Sequence, residues 1–207
     1  MIGIIDYGVG NIQAFLNCFQ RMDVAAYRVN KPEDLGLATH FILPGVGHFD
    51  FGMKKLNKSG LLPTLEKKVF DNKTPILGIC LGAQLMTNKS DEGIVPGLGW
   101  IDAETVSFDK SKLSNDYKIP HMGWNYVSVV SDIKLFNNMH ENPRFYFVHS
   151  YHIKLNRTEN SWLNVNYGYD FCAAYQKDNI YACQFHPEKS HKFGLRLMEN
   201  FVNLECI

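Results

Sequence analysis

Short apolar runs alternate with amphipathic stretches throughout the first half of the chain. Apolar residues recur at helical spacing in residues 12–19, directly after the turn Gly8-Val9-Gly10-Asn11, and again in residues 61–70. The apolar runs between these stretches predict strands at residues 2–5, 24–29, 41–43 and 75–79. Strands that are apolar on both faces and separated by helices are typical of a parallel sheet.

The second half changes character, because strand-like runs follow one another closely. The predicted strands are residues 101–108, 126–130, 145–148, 162–167, 171–175 and 180–185. This spacing favours hairpins, so we expect antiparallel additions to the sheet, closed by a helix over residues 189–204. The polar residues 109–116 are expected to form a surface loop. The pattern predicts a single α/β domain over residues 1–207.

Composition excludes several classes of protein. Of the 207 residues, 45% are hydrophobic and 20% charged, which is typical of a globular chain. Acidic and basic residues number 21 each, so bulk charge favours neither nucleic acid nor an anionic membrane as partner. The sequence has no apolar run of roughly 18 residues and no signal-peptide pattern at its start. Scattered cysteines at positions 18, 80, 172, 183 and 206 favour the reducing cytoplasm.

Cys80 stands in the run Gly78-Ile79-Cys80-Leu81-Gly82, between a predicted strand and a predicted helix. This G-x-C-x-G pattern is the cysteine form of a nucleophile elbow, whose sharp turn exposes the central side chain. The glycines remove side chains that would clash, and the helix N-terminus favours the thiolate. The Leu81 N–H would point to where an oxyanion forms. A lone cysteine is more often a core thiol, but this context favours a nucleophile.

A cysteine nucleophile needs a base, and the base needs a group that orients it. His186-Pro187-Glu188 follows the predicted strand 180–185, and residues two apart in extended backbone face the same side. We therefore predict that Glu188 braces the His186 imidazole while the other ring nitrogen meets the thiol. Most histidines are not catalytic, and those at positions 40, 48, 140 and 191 are interpreted as surface or capping residues.

Other patterns are weaker. Gly8-Val9-Gly10 lacks the third glycine of a dinucleotide-binding turn. The pairs Cys183/His186 and His149/His152 have the spacing of metal ligands, but neither has a matching second pair. We therefore predict neither a metal site nor a cofactor.

These motifs, with several others, resemble the class I, triad-type glutamine amidotransferases. The resemblance is carried by residues 5–11, 43–47, 75–84, 120–125, 145–151 and 184–190. They extend over nearly the whole chain, and several motifs in the family's order are far more specific than any one. The resemblance is strongest to the glutaminase (HisH) subunits of imidazole glycerol phosphate synthase. It implies a three-layer, flavodoxin-like α/β fold with a central, mainly parallel sheet.

The resemblance also implies a reaction. Cys80 would attack the side-chain amide of L-glutamine, and His186, oriented by Glu188, would protonate the leaving ammonia. Backbone amides of Leu81 and of the loop Val46-Gly47 would hold the oxyanion. Water activated by His186 would then hydrolyse the thioester and release glutamate.

Substrate-binding residues follow from the same resemblance. Gln84 and Glu92 would bind glutamine, one and three turns beyond Cys80 if the helix continues. The backbone of Ser150 and Tyr151 would hold the substrate carboxylate. Without the resemblance, Gln84 and Glu92 would be read as ordinary polar residues on a helix surface.

The resemblance further implies a partner. Ammonia would pass to a HisF-type (β/α)8-barrel synthase subunit that makes imidazole glycerol phosphate and AICAR in histidine biosynthesis. Asn11, Trp124, Tyr146 and Lys189 would lie on or near the docking face of this heterodimer. The isolated subunit is expected to be a poor glutaminase.

Some residues resemble a different branch. Ala83 stands where many histidine-pathway members have Met, and residues 99–102 and 190–194 are closer to paralogues encoded with surface-polysaccharide genes. Those paralogues are thought to supply ammonia for amidation of an acidic sugar, which is the alternative acceptor. A degenerate binding module and a stand-alone cysteine hydrolase also compete with a glutaminase. The binding module is disfavoured because Cys80, His186 and Glu188 are all present.

Overall fold

The computed structural model describes residues 1–205, which form an α/β fold around one eleven-stranded sheet. The strands are β1 (Ile2–Ile5), β2 (Ala26–Val29), β3 (His40–Leu43), β4 (Ile76–Ile79), β5 (Ala103–Ser107), β6 (His121–Val129), β7 (Arg144–His149), β8 (Tyr151–Leu155), β9 (Ser161–Tyr167), β10 (Tyr169–Lys177) and β11 (Ile180–Cys183). The helices are α1 (Ile12–Arg21), α2 (Phe49–Lys58), α3 (Leu62–Glu66), α4 (Leu81–Leu85) and α5 (His191–Val202). A π-helical turn, Lys67–Asp71, extends α3.

The sheet has a parallel half and an antiparallel half, as the sequence predicts. Its order is β2-β1-β3-β4-β11-β10-β9-β6-β7, with β8 paired to β10 and β5 paired to β8. Strands β2, β1, β3, β4 and β11 are mutually parallel. Strand β11 departs from the expectation of purely antiparallel additions, since it pairs antiparallel only with β10. The chain between β4 and β11 builds the added strands, so β11 returns to β4 in parallel.

Helices cover both faces of the parallel half, which gives three layers. Ile4 on β1 belongs to one core cluster together with Phe19 of α1 and Phe201 of α5. Ile5, the next residue of β1, belongs to the opposite cluster, which contains Leu56 of α2. Successive strand residues point to opposite faces, so both faces of this strand are buried.

The predicted elements of the first half are present, but two elements were not anticipated. Helix α2 contains Gly52, where a Cβ would lie 3.1 Å from a methyl group of Leu81, so glycine permits close packing of α2 on α4. A single residue, Ser150, separates the end of β7 from the start of β8, and the sequence pattern does not reveal that break. His48 caps α2 as expected, whereas His40 is buried and not on the surface. The ring of His40 bonds the Leu204 carbonyl at 3.0 Å.

Four cysteines, Cys18, Cys80, Cys172 and Cys183, are buried free thiols, and Cys206 lies outside the described residues. Within residues 1–205, no helix is both long and apolar enough to cross a membrane. The same range holds no group of three or more His, Cys, Asp or Glu side chains arranged to bind a metal ion.

Candidate active site

The candidate site lies at the carboxyl edge of the parallel strands. Strand β4 leads directly into Cys80, β3 into the loop 44–47, and β11 into Gln184 and His186. These three strands are neighbours in the sheet, so their ends bring the three segments together. Open α/β sheets place ligand sites at this edge.

Cys80 has the strained backbone expected of an elbow. Its φ of 52° and ψ of −112° are unusual for a residue with a Cβ. A Cβ at Gly82 would overlap the Leu43 carbonyl oxygen, and one at Gly78 would lie 2.9 Å from Met86 Sδ. Both glycines therefore let β4, β3 and α4 approach closely enough to hold the turn.

His186 and Glu188 form a buried pair. Nδ1 of His186 lies 2.8 Å from Oε1 of Glu188, and the two side chains are 3% and 2% exposed. The predicted contact is present, but its predicted cause is wrong, since Pro187–Lys189 form a 3-10 turn and not extended backbone. Ser190 supports the turn, because its hydroxyl donates to the His186 carbonyl at 2.6 Å.

The environment of His186 favours its protonated form. Burial lowers the pKa of His186, but the neighbouring Cys80 and Glu188 outweigh burial and raise that pKa to about 10. Nε2 of His186 is buried and has no hydrogen bond of ordinary length, so it remains available to the thiol. Cys80 Sγ instead lies 3.8 Å from the Val148 carbonyl oxygen. Approach of sulfur and imidazole would give a thiolate–imidazolium pair.

A cavity of about 430 Å³ opens above Cys80. Its lining residues are Val46, Gly47, His48, Cys80, Gln84, Glu92, Pro120, Val148, His149, Ser150, Tyr151 and His186. The structure thus brings Cys80, His186 and every residue expected to bind substrate to one cavity.

Glu92 reaches this cavity from a loop, which corrects the expectation that it lies three helical turns beyond Cys80. Helix α4 ends at Leu85, so the helix does not continue as supposed. The Glu92 carboxylate accepts the Phe49 N–H at the start of α2, at 2.7 Å. Asp50 holds the same loop, because its carboxylate accepts the N–H groups of Ile94 and Val95 at 3.2 and 3.0 Å.

The loop 44–47 packs on the N-terminus of α4. The Tyr7 hydroxyl donates to the Pro44 carbonyl at 2.8 Å, and burial raises the pKa of Tyr7. A Cβ at Gly45 would lie 2.7 Å from the Gly82 nitrogen, so the loop and α4 are nearly in contact. Leu81 is the first residue of α4, and the N–H of a first helical residue has no partner within its helix.

A chain of histidines fixes the segment 149–151. The Tyr151 carbonyl accepts bonds from His149 Nδ1 at 2.8 Å and from Gln84 Nε2 at 3.0 Å. Because a carbonyl only accepts, His149 carries its proton on Nδ1 and its Nε2 must accept. His121 Nδ1, 3.0 Å away, is then the donor to that Nε2. Burial lowers the pKa of His121 to about 4 and that of His149 well below its usual value.

The sequence profile of the family described as "Glutamine amidotransferase class-I" matches residues 3–204. The chain belongs to the class I glutamine amidotransferase family. It is accordingly an enzyme that acts on glutamine.

Relatives within this family are similar over their full length. The chain is 54% identical, over 202 residues and 98% of each chain, to imidazole glycerol phosphate synthase subunit HisH 2 of Methanococcus maripaludis. It is 47% identical to subunit HisH 2 of Pseudomonas aeruginosa, covering 99% of this chain and 100% of that one. Among solved structures, PurLQS from Thermotoga maritima has a TM-score of 0.72 at 16% identity, over 98% and 97% of the two chains. That likeness supports the fold.

Three of the four residues expected at a docking face of this amidotransferase lie together. Lys189 Nζ lies 5.8 Å from the Tyr146 ring centroid, and the rings of Tyr146 and Trp124 lie 6.3 Å apart. Trp124 remains 42% exposed, which is unusual for so large an apolar side chain. Asn11 has a different role in the fold, since its side chain caps α1 by accepting the Ala14 N–H at 3.1 Å.

Sequence reasoning missed several residues that support the amidotransferase site. Tyr7 and Asp50 hold two of its loops, and nothing in their local sequence predicts those contacts. Gln184 lies two residues before His186 and contacts Cys80. Residues two apart in extended backbone face the same side, and this alternation along the end of β11 is the sequence signal that places Gln184 beside His186.

Proposed function

We propose that Cys80, His186 and Glu188 are the catalytic triad of a glutaminase that occupies residues 1–207 as one domain. The proposal is carried by one observation: a strained cysteine at a helix start shares its cavity with a histidine that is paired to a buried carboxylate. A carboxylate on Nδ1 fixes the imidazole orientation and leaves Nε2 for the proton transfers of acyl chemistry.

The reaction follows from these groups. The Cys80 thiolate attacks the amide carbon of glutamine, and negative charge develops on the amide oxygen. N–H groups of Leu81 and of Val46 or Gly47 stabilise that oxyanion. Protonated His186 gives its proton to the nitrogen as the C–N bond breaks and ammonia leaves. Neutral His186 then takes a proton from water, which attacks the thioester carbon and releases glutamate.

Recognition of glutamine uses the rest of the cavity. The Glu92 carboxylate is negatively charged and can pair with the α-ammonium group of the substrate. It lines the cavity above Cys80. Both Nε2 hydrogens of Gln84 are used within the protein, so its Oε1 is the atom left to accept a substrate donor. Backbone N–H groups of Ser150 and Tyr151 would bind the substrate carboxylate.

We further propose that the chain is the glutaminase subunit of imidazole glycerol phosphate synthase and works in the cytoplasm. Its relatives with 54% and 47% identity both carry that subunit name. The partner would be a HisF-type (β/α)8 barrel, docked on a face that includes Trp124, Tyr146, Lys189 and Asn11. Aromatic side chains such as Trp124 and Tyr146 are enriched in protein interfaces.

The test is glutamate release from glutamine, measured with and without the barrel synthase encoded beside this chain and with and without the histidine-pathway ribonucleotide precursor. We expect stimulation by both partner and precursor, loss of activity in Cys80→Ala, and retention in Cys172→Ala, a variant of another buried thiol. Stimulation by the partner alone would contradict the histidine-pathway assignment and favour amidation of a sugar. Absence of Cys80-dependent release would overturn the glutaminase.

A further inference from the structure

Gln184 is a wholly buried polar residue between β11 and His186, with 0% of its surface exposed. Its backbone N–H donates to the Ala173 carbonyl at 2.8 Å, which continues the pairing of β11 with β10. Burial of an amide without hydrogen-bond partners is unfavourable, so the partners of this side chain are informative.

The Gln184 side chain joins the nucleophile to the substrate cavity. Its Oε1 accepts from Gln84 Nε2 at 3.0 Å, and its Nε2 faces Cys80 Sγ at 3.8 Å. The other hydrogen of Gln84 Nε2 goes to the Tyr151 carbonyl at 3.0 Å. These contacts form a continuous chain from the segment 149–151 to the sulfur of Cys80.

The donor and the acceptor of each hydrogen bond in this series are determined by chemistry. The Tyr151 carbonyl has no hydrogen to give, so the amide group of Gln84 must present its NH₂ there. That NH₂ also donates to Gln184, which must therefore offer its oxygen on that side. The NH₂ of Gln184 then faces Cys80, where an N–H stabilises a thiolate more than a thiol.

We propose that Gln184 is a positioning residue for the glutaminase reaction, whose carboxamide orients Cys80 Sγ and stabilises its thiolate. The inference rests on the proposed function of Cys80 and adds a residue to it. Gln84 fixes the carboxamide, so displacement of the segment 149–151 would be transmitted to the sulfur through three successive polar contacts.

The test measures Cys80 alkylation by iodoacetamide as a function of pH, with glutamine kinetics on the same proteins. Gln184→Met keeps the side-chain volume but removes the donor, and Gln184→Glu keeps the shape but replaces the NH₂ with an acceptor. Gln176→Met is the matched control on the neighbouring strand β10, where the amide bonds only the Asp178 carbonyl. Thermal unfolding identifies the variants that remain folded.

We expect alkylation at pH 7 to fall about ten-fold in Gln184→Met and further in Gln184→Glu, because the thiolate loses a donor. The alkylation profile should move to higher pH, and kcat should fall while KM changes little. Gln176→Met should match the wild type. A folded Gln184 variant with the wild-type alkylation profile would overturn the inference. If the wild type hydrolyses no glutamine, the proposed function fails, while the alkylation comparison still decides the role of Gln184.

Discussion

Nδ1 of His186 lies 2.8 Å from Oε1 of Glu188, and both side chains are almost completely buried. The carboxylate oxygen accepts, so Nδ1 carries the hydrogen and the tautomer or protonated form of the ring is set by Glu188. Oε2 of the same carboxylate is buried without a hydrogen bond. The pair therefore combines charge with geometry, because the imidazolium lies against the other oxygen of the same carboxylate.

Replacement of Glu188 by Gln should separate charge from shape. We expect Glu188→Gln to lower kcat for glutamine hydrolysis by about 100-fold or more, since the imidazolium loses its counter-ion. The high pKa of His186 should fall, which would be measured as a downward shift of its NMR titration. Glu199→Gln is the control, because Glu199 pairs with Arg196 on the partly exposed face of α5. Activity of Glu188→Gln within three-fold of the control would contradict a triad.

Gly82→Ala should destabilise the elbow. A Cβ there would overlap the Leu43 carbonyl oxygen, which belongs to the backbone of β3 and cannot rotate away as a side chain could. We expect a loss of about 3 kcal/mol in the free energy of unfolding, at the upper end for overpacking. Gly36→Ala is the control, since a Cβ at Gly36 meets nothing within 4 Å. Equal denaturant midpoints for the two variants would refute the steric explanation.

Asp50→Ala should weaken glutamine binding although Asp50 does not line the substrate cavity. Asp50 accepts two N–H groups of the loop that follows Glu92, so its removal frees the Glu92 carboxylate to move. We expect KM for glutamine to rise about ten-fold with a small change in kcat. Asp71→Ala, at an exposed carboxylate, should leave both constants unchanged. A fall in kcat alone would argue against this role.

Three buried histidines should make the fold sensitive to acid. Burial lowers the pKa of His121 and of His152 to about 4, and it lowers the pKa of His149 well below its usual value. Between pH 6.5 and 4 the unfolded chain binds protons at these positions and the folded chain does not. Stability is therefore full above pH 6.5 and is lost as the pH falls towards 4.

The raised pKa of His186 gives the free energy of unfolding the opposite pH dependence, but in a different pH range. Its pKa is raised to about 10, so its contribution is fully present below pH 6.5 and is lost as the pH rises through 10. Urea denaturation at pH 7, 6 and 5 should show falling stability in the wild type and a smaller fall in His121→Gln. His191→Gln, at an exposed position, should keep the wild-type dependence. A constant free energy of unfolding from pH 7 to 5 would exclude the histidine cluster as the cause.

The sequence predicts the parallel half of the fold well because its signals are local. Strand β1 and helix α1 follow directly from apolar spacing, and the G-x-C-x-G pattern predicts the strained Cys80. The position of β11 in the sheet cannot be predicted from local sequence, because its parallel pairing with β4 depends on all the strands between them. Helix α2 is not predicted from the sequence because it contains Gly52. The packing of Gly52 against Leu81 exists only in the folded molecule.

The candidate site likewise contains some residues that local motifs predict and others whose positions depend on distant segments. Cys80, His186 and Glu188 are predictable because each stands in a short motif with its own chemistry. Glu92 is correctly expected at the cavity, but by an argument from a helix that ends at Leu85. Its actual position depends on a bond to the Phe49 N–H, a contact between distant segments that no sequence spacing encodes.

The central claim is that Cys80 forms a thioester with the acyl group of glutamine. The most direct test is to mix the protein with glutamine, quench in acid within one turnover, and determine by mass spectrometry which residue carries a γ-glutamyl group. The account predicts the adduct on Cys80 alone, its disappearance in Cys80→Ala, and its decay at the rate of glutamate release. Release of glutamate with no adduct on Cys80, or with an adduct on another residue, would contradict it.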